Sequence, residues 1–248
     1  MLNPKIKAVA NKIRDEKLRK KVLEFLENPT FEVGGRTYSG MPLDVSPAGL
    51  SHHHCYVGGY VEHVISTAKI ALTICDCVKK VYHGKVNSDF VLAGVLLHDI
   101  FKPLTYMVKE NGSYATTSLA DYMDHLSMVI AELVRRKFPI EVIHVVSAHH
   151  GEYGPIRPHT IEALICHLAD LIDSRLNGEV LNAATYLTRK AVGEELTGLT
   201  AKEAFEIIHS KATEGWGGVA KNVEKIKRKR EHRKTYSQQH LKCGKDCE

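Results

Sequence analysis

The sequence lacks any apolar run that approaches the ~20 residues needed to cross a lipid bilayer. Its first residues, MLNPKIKAVANKIRDEK, are charged from the start and contain no apolar core of the kind that secretory signals carry. Hydrophobic residues make up 44% and charged residues 25% of the 248 positions, which is the composition of an ordinary globular protein. We therefore expect a cytosolic protein with no membrane partner and a sizeable buried core.

The six cysteines lack the spacing of a zinc clip or of a disulfide framework. The CDC stretch is not a CxxC pair, and Cys243 and Cys247 lie in a polar C-terminal segment. Because no secretory signal directs the chain to an oxidising compartment, we expect reduced thiols. The remaining cysteines lie in apolar or helical stretches: Cys55, Cys75, Cys77 and Cys166.

The chain also has few aromatic residues and a small net charge. Aromatic residues make up 7% of the chain, and the formal net charge is only +5. Much of the positive charge lies in KNVEKIKRKREHRK, residues 221–234, which is either a solvated helix followed by a flexible tail or a surface for nucleic acid or another polyanion. Because tracks for nucleic acid combine basic residues with aromatic platforms, nucleic acid is not the favoured partner. The residues give no prediction of oligomeric state.

Hydrophobic spacing predicts a mainly α-helical protein with two small β-hairpins. Apolar residues at helical spacing predict one N-terminal helix over residues 6–26, ended by the Asn-Pro pair that follows. The stretch FEVGGRTYS predicts a hairpin that turns at its two glycines. The stretch TYMVKENGSYATT predicts a second hairpin that turns at Asn111 and Gly112.

Further helices are predicted through the rest of the chain, and a capping-box pattern at Thr200 predicts the start of the last one. We expect an N-terminal helix and hairpin packed on the core over residues 1–50. A central domain would cover residues 51–215, and a basic helix with a flexible tail would cover residues 216–248. The predicted central helices are 59–82, 88–101, 121–137, 140–149 and 160–175.

Histidine, in contrast, is abundant: the chain has 15, and most lie in its central part. Imidazole and carboxylate groups are ligands for divalent transition metals, and one carboxylate can bridge two ions. Several helices could bring such side chains together inside a bundle. In chain order the residues are His52, His53, His54, His63, His98, Asp99, His125, His144, His149, His150, His167 and Asp170.

Two aspartates lie in strongly apolar stretches, Asp99 in GVLLHDIF and Asp170 in LICHLADLIDS. Burying an unpaired ionised carboxylate costs several kcal/mol, so each requires a cation or strong hydrogen-bond donors. A metal shared by both aspartates and the nearby histidines meets that requirement. The more isolated histidines are interpreted as ordinary core or surface residues: His83, His144, His209, His232 and His240.

The order H…HD…H…H…D, with GGYVEH around its first histidine and LLHDIFK around the pair, resembles the HD-domain metal-dependent phosphohydrolases. The stretches HHHCYVGGYVEHVISTA and SAHHGEYGPIRPHTIEALICHLADLIDS are similar to segments of HD-domain 3′-to-5′ exoribonucleases. The short helix-and-hairpin start is closer to small archaeal HD phosphodiesterases, including iron-dependent enzymes that act on dihydroneopterin 2′,3′-cyclic phosphate. The resemblance implies a helical HD bundle, with residues 51–215 as its catalytic domain.

The resemblance also implies a site with two divalent ions, with Fe²⁺ or Mn²⁺ favoured and Ni²⁺ or Zn²⁺ also suited to the ligands. Asp99 would bridge the two ions. His150 could replace His149 as a ligand or contact the phosphate. The implied ligands are His63, His98, Asp99 and Asp170 for one ion, and Asp99, His125 and His149 for the other.

Further roles follow from the position and chemistry of individual side chains. Lys102 would contact the phosphate, although a lysine that interacts with a helix dipole is the simpler interpretation. His54 would be catalytic, as a proton donor to the leaving group, together with Asp99 and Lys102. Substrate contacts would come from His53, His150 and Arg157. The family often has glycine before this lysine, whereas this chain has Phe101, and we expect that side chain to crowd the phosphate.

The expected activity is hydrolysis of a phosphodiester by metal-activated water, with a small 2′,3′-cyclic phosphate of a pterin or nucleotide as the substrate. A 3′-to-5′ exoribonuclease or a nucleotide phosphomonoesterase on the same metal centre is the alternative. A ligand-sensing HD domain without turnover is a third interpretation. The complete set of metal ligands argues against it, since loss of catalysis usually removes at least one ligand.

Overall fold

The computed structural model describes residues 2–109 and 113–243. Within these ranges the chain is mainly helical and carries two antiparallel two-stranded sheets, as the sequence predicts. The chain divides into two compact units, Met1–Leu176 and Asn177–Glu248, and each is described by itself. The boundaries predicted near residues 50 and 215 stay predictions.

The N-terminal segment forms two helices, α1 (Pro4–Ala10) and α2 (Glu16–Glu27), so the prediction of a single helix was wrong. The break has a local cause. The carboxylate of Asp15 accepts a hydrogen bond of 2.9 Å from the backbone N–H of Leu18 and caps α2. Ile13 lies between the two helices but is fully buried, which explains why its apolar spacing resembles that of a helix.

The first predicted hairpin is confirmed. Strand β1 (Thr30–Val33) pairs with β2 (Arg36–Ser39), with Phe31 opposite Tyr38. The two turn glycines, Gly34 and Gly35, both have positive φ angles, of 57° and 71°. Such angles favour glycine strongly, which is why the sequence signal was reliable here.

The core of the first unit is built around α4 (Ser88–Leu97), in which every residue from Val91 to Leu97 is buried. Helix α4 packs against α3 (Gly59–Lys80) and α7 (Ile140–Ser147). The predicted helix 88–101 ends earlier, because the chain turns at His98 and begins the short helix α5 (Lys102–Thr105). That turn places the His-Asp pair at the end of a buried helix.

The second predicted hairpin is formed by β3 (Tyr106–Val108) and β4 (Tyr114–Thr116). Its predicted turn at Asn111 and Gly112 lies outside the described residues. Short 3-10 turns cover Ser118–Asp121 and Gly151–Tyr153.

The next helix, α6 (His125–Arg135), begins four residues later than predicted. It starts there because the Asp124 carboxylate accepts a hydrogen bond of 2.6 Å from the Ser127 N–H. Helix α8 (Ile161–Val192) continues well past the predicted end at residue 175. Its first half belongs to the first unit and carries Asp170.

The second unit contains the rest of α8 and the helix α9 (Ala201–Cys243), which is kinked at Gly215. The capping box is confirmed: the Glu203 N–H donates to the Thr200 hydroxyl at 3.2 Å, and the Thr200 N–H donates to the Glu203 carboxylate at 3.0 Å. The last five residues of the predicted tail lie outside the described residues.

Across the described residues, no helix combines the length and the apolar character that a membrane span requires. The cytosolic location stays a prediction.

Candidate metal centre

Five helices or helix ends bring the predicted ligands together in the first unit. His63 lies on α3, and His98 and Asp99 lie in the turn that follows α4. His125 is the first residue of α6, His149 follows the end of α7, and Asp170 lies on α8. All six belong to the first unit, so their arrangement is independent of the second.

One group of ligands surrounds Nε2 of His63, which is completely buried. This atom lies 3.2 Å from Nε2 of His98 and 3.3 Å from Oδ1 of Asp170. Oδ2 of Asp99 lies 3.5 Å from the same atom and 3.4 Å from Nε2 of His98. We call His63, His98 and Asp170 the first ligand group.

A second group faces the other oxygen of Asp99. Nε2 of His125 lies 3.3 Å from Oδ1 of Asp99, and Nε2 of His149 lies 3.8 Å from it. His150 is also within ligand distance of His125 and His149, but it is less buried than His149. We call His125, His149 and His150 the second ligand group. Asp99 therefore lies between the two groups and presents one carboxylate oxygen to each.

Backbone hydrogen bonds orient two of these imidazoles. Nδ1 of His98 donates to the carbonyl oxygen of Val95 at 2.8 Å, and Nδ1 of His149 donates to that of Val146 at 2.7 Å. A neutral imidazole that donates from Nδ1 keeps its lone pair on Nε2. Both lone pairs therefore point into the site, as metal ligation requires.

The donor set fits divalent cations. Nε2 of His125, Nε2 of His149 and Oδ1 of Asp99 are buried and make no hydrogen bond, whereas Oδ2 of Asp99 is paired with the ammonium of Lys102. Native proteins rarely leave several buried polar atoms without partners, since each costs roughly 1–3 kcal/mol. Divalent ions accept such lone pairs, and the mixture of imidazole and carboxylate suits Fe²⁺, Mn²⁺, Ni²⁺ and Zn²⁺. The residues present thus fit the metal that the sequence predicts.

The charge on Asp99 is maintained by its surroundings. Burial would raise the pKa of its carboxyl, but the ammonium of Lys102 and the imidazole of His98 outweigh burial and hold the pKa well below its usual range. Nζ of Lys102 forms an ion pair of 2.6 Å with Oδ2 of Asp99. Burial opposes the charge on Lys102, yet Asp99 keeps the pKa of the lysine above its ordinary value. Lys102 follows the His-Asp turn and reaches back across it.

The sequence interpretation missed Asp173, which lies one turn after Asp170 on α8 and is 3% exposed. Its Oδ2 lies 2.7 Å from Nδ1 of His63. Burial opposes protonation of His63, but contacts with Asp173 and Asp99 raise the pKa of the imidazole to about 9. The spacing of the two acids in LADLID, three residues apart on one helix face, is the signal that could have identified Asp173.

His53 and His54 lie beside His63, with ring centroids 5.1 and 5.3 Å from its ring. Nδ1 of His53 is 3.2 Å from Nδ1 of His54. Burial, followed by the charge of His63, lowers the pKa of His53 to about 4 and that of His54 to about 3. Both imidazoles are therefore neutral near pH 7, which makes His54 a poor proton donor in the metal-free protein.

Two other predicted residues do not join the cluster. Arg157 is exposed on the loop between α7 and α8, and no contact among the described residues connects it to the metal ligands. Phe101 points away from the site into the core, where its ring lies 5.5 Å from that of Phe25 and 5.9 Å from that of Phe31. The expectation that Phe101 crowds the phosphate was therefore wrong, because the turn after α4 directs it inward.

Comparison with known proteins agrees with this geometry. A family model of the HD domain matches residues 60–175, the range that contains the ligands from His63 to Asp170. The dihydroneopterin 2′,3′-cyclic phosphate phosphodiesterase of Methanocaldococcus jannaschii is 41% identical over 201 residues, which are 81% of this chain and 78% of that protein. The chain belongs to the HD-domain family. The family, the helical fold class and the assignment to the HD-superfamily hydrolases are confirmed.

Other relatives of this HD-domain protein match a smaller part. A 3′-5′ exoribonuclease YhaM of Listeria monocytogenes is 33% identical over 144 residues, 53% of this chain and 43% of that protein. The YhaM of Oceanobacillus iheyensis is 33% identical over 179 residues, 65% of this chain and 53% of that protein. No solved structure matches the chain.

Proposed function

We propose that this HD-domain protein is a metal-dependent phosphodiesterase that opens a small 2′,3′-cyclic phosphate of a pterin or a nucleotide. The observation that carries the proposal is the position of Asp99, whose two oxygens face separate groups of imidazoles. The substrate class follows the relative from Methanocaldococcus jannaschii, of which the chain covers 78%. A small cyclic phosphate needs a pocket rather than a long track of basic and aromatic residues.

The proposed ligands are the first group with Asp99 for one ion, and His125 and His149 with Asp99 for the other. His150 is the alternative to His149. When bound, such ions neutralise charge on the phosphate and produce a nucleophile from water at neutral pH. We favour Fe²⁺ or Mn²⁺, and the ligand set also accepts Ni²⁺ or Zn²⁺.

The protein's own side chains would bind and orient the phosphate. The ammonium of Lys102 pairs with Asp99 at 2.6 Å, and we propose that it also contacts a phosphate oxygen as a point charge. His53 and His150 are only partly buried and can donate N–H groups to the other oxygens. Because burial, the largest cause, lowers the pKa of His54, we propose that it donates a hydrogen bond rather than a proton. Arg157 stays a proposed contact from the exposed loop.

An exoribonuclease on the same centre is the second candidate. It is favoured by the two YhaM relatives, which match 53% and 65% of this chain. The chain spans 43% and 53% of the length of those relatives, so the similarity covers only part of each. A nucleotide phosphomonoesterase would use the same groups on a terminal phosphate.

The test is a substrate panel with protein purified without oxygen and loaded with Fe²⁺ or Mn²⁺. We expect kcat/KM for 2′,3′-cyclic phosphates to exceed that for 3′,5′-cyclic phosphates, linear diesters and terminal phosphates by at least about tenfold, or ~1.4 kcal/mol. A preference for RNA oligonucleotides would favour the exoribonuclease instead. Full metal occupancy without turnover of any substrate would contradict the proposal and favour a ligand-sensing domain.

A further inference from the structure

The three fully buried histidines of the site differ in the partner of Nδ1. His98 and His149 each donate to a backbone carbonyl three residues earlier in the chain, that of Val95 and that of Val146. His63 instead contacts the carboxylate of Asp173, 110 residues away in the chain. Among the described residues, only one of the three buried imidazoles therefore has a carboxylate partner at Nδ1.

Helix α8 supplies a carboxylate to each nitrogen of His63. Oδ1 of Asp170 lies 3.3 Å from Nε2, and Oδ2 of Asp173 lies 2.7 Å from Nδ1. Both aspartates lie on one face of α8, three residues apart. Oδ2 of Asp173 also lies 3.7 Å from Nε2 of His54, so Asp173 contacts both His54 and the proposed metal ligand His63.

We propose that Asp173 is a positioning residue that makes the first ligand group the tighter of two cation sites. The inference rests on the proposed function, because it concerns the same metal centre. A carboxylate that accepts the Nδ1–H fixes the ring orientation and makes Nε2 a stronger donor than a carbonyl partner does. The second ligand group has no such carboxylate among the described residues, so the two sites differ in ligand strength.

The geometry also explains why Asp173 holds its position. Its carboxylate is buried beside His63 and His54, and the hydroxyl of Ser66 adds a hydrogen bond. The backbone of His54 is fixed in turn: its carbonyl accepts from the Ala48 N–H at 3.1 Å, and its φ angle is 47°. Because Asp173 contacts His63, His54 and Ser66, its carboxylate is already ordered before a cation binds. Binding therefore has a smaller entropic cost.

The experiment is a titration of the metal-free full chain with Co²⁺, followed by calorimetry and by the visible absorption of the ion. We expect two binding steps in the wild-type protein. In Asp173→Asn the tighter step should weaken about 10- to 100-fold, the range found for partners of metal-bound histidines. The weaker step should change by less than about threefold.

Asp76→Asn is the matched control, because it makes the same change at an exposed carboxylate on α3 that pairs with Lys80. It should leave both steps unchanged. Asp173→Glu retains a carboxylate, so it should recover part of the lost affinity. Thermal unfolding of each variant shows whether the fold is kept.

Equal weakening of both steps, or an unchanged tighter step in folded Asp173→Asn, would overturn the inference. Equal losses in Asp173→Asn and Asp173→Glu would overturn it too, because they would indicate a packing effect. These outcomes are independent of turnover. If the wild-type protein binds Co²⁺ in two steps but hydrolyses no phosphodiester, the proposed function fails while the role of Asp173 is still decided by the affinities.

Discussion

The two units of this protein use charged residues in opposite ways. In the first unit, Asp99, His125 and His149 lie together, and Nε2 of both histidines and Oδ1 of Asp99 are buried without a hydrogen bond. In the second unit, the basic residues of α9 up to Arg230 are exposed or half-exposed, and two of them are paired locally. Lys227 contacts Glu194 at 2.7 Å, and Arg230 contacts Glu203 at 2.8 Å.

The difference separates function from stability. Buried polar atoms without enough hydrogen-bond partners lower the stability of the fold unless they bind a ligand. The arrangement of this cluster therefore indicates a ligand-binding site. Ion pairs at the surface contribute little to the free energy of unfolding, and both partners of each pair lie within the second unit. Changes in the first unit should therefore alter metal binding and turnover, whereas changes in the second should alter stability slightly.

The largest effect is expected from Asp99→Ala. Removal of the carboxylate that contacts both ligand groups should abolish stable metal binding and lower kcat/KM by at least ~10³-fold. Metal analysis after dialysis and hydrolysis of bis-p-nitrophenyl phosphate measure the two effects. Hydrolysis that persists in metal-free Asp99→Ala would show that Asp99 does not organise the reaction.

Lys102→Ala should have the next largest effect. If Lys102 binds the phosphate, its loss should lower kcat/KM about 10²-fold while the metal content stays at the wild-type level. Lys102→Arg keeps the positive charge and is the control for a purely electrostatic role. A drop in bound metal that parallels the drop in activity would mean that Lys102 supports Asp99 rather than the substrate.

Metal binding should depend on pH through His63. In the metal-free protein its pKa is about 9, above the ordinary value of 6.5, so the imidazole is protonated between those pH values. A cation must displace that proton. Affinity should therefore rise up to about tenfold per pH unit from pH 6.5 to 9, with release of roughly one proton.

Calorimetry in buffers with different ionisation enthalpies measures the proton count. The charge on His63 also stabilises the metal-free protein. That contribution is complete below pH 6.5 and is lost as the pH rises through 9. Binding without proton release near pH 7.5 would contradict the assignment of His63 as a ligand.

The smallest effect is expected in the second unit. Arg230→Ala removes contacts to Glu203 and to the carbonyls of Thr197 and Gly198, which are largely at the surface. We expect a loss of about 1 kcal/mol in the free energy of unfolding and no change in metal binding. Chemical denaturation and metal analysis check both. A large loss of bound metal in Arg230→Ala would contradict the expectation that the second unit affects stability and not metal binding.

The same pair should respond to acid. Burial would raise the pKa of Glu203, but Arg230 and the capping hydrogen bonds outweigh it and lower the pKa. The stabilising contribution of Glu203 is therefore present above its unfolded pKa and is lost as the pH falls through the lower, folded value. In Glu203→Gln this loss of stability in acid should be smaller than in the wild-type protein.

Much of the site was predictable because its chemistry is local in the sequence. The His98-Asp99 pair ends an apolar run, and Asp170 interrupts another, so both acids required partners before any fold was known. The two glycines of the first hairpin and the Thr200 capping box were equally clear, since each depends on a specific backbone requirement.

Other features depended on tertiary contacts that no local pattern contains. The direction of Phe101 follows from the turn after α4 and from the rings that receive it. The role of Asp173 depends on contact with His63 across 110 residues, although its spacing from Asp170 was visible. The break before α2 was hidden because Ile13 keeps the apolar period while Asp15 caps the next helix.

Asp99 is expected to lie between two cation sites. Anomalous diffraction at the absorption edge of the metal, from crystals of protein loaded with Mn²⁺ or Fe²⁺, can locate both ions. We expect two peaks, one on each side of Asp99, each about 2.0–2.3 Å from a carboxylate oxygen and bordered by one of the two ligand groups. A metal-loaded crystal with no peak beside Asp99, or with both ions away from His63 and His125, would contradict it.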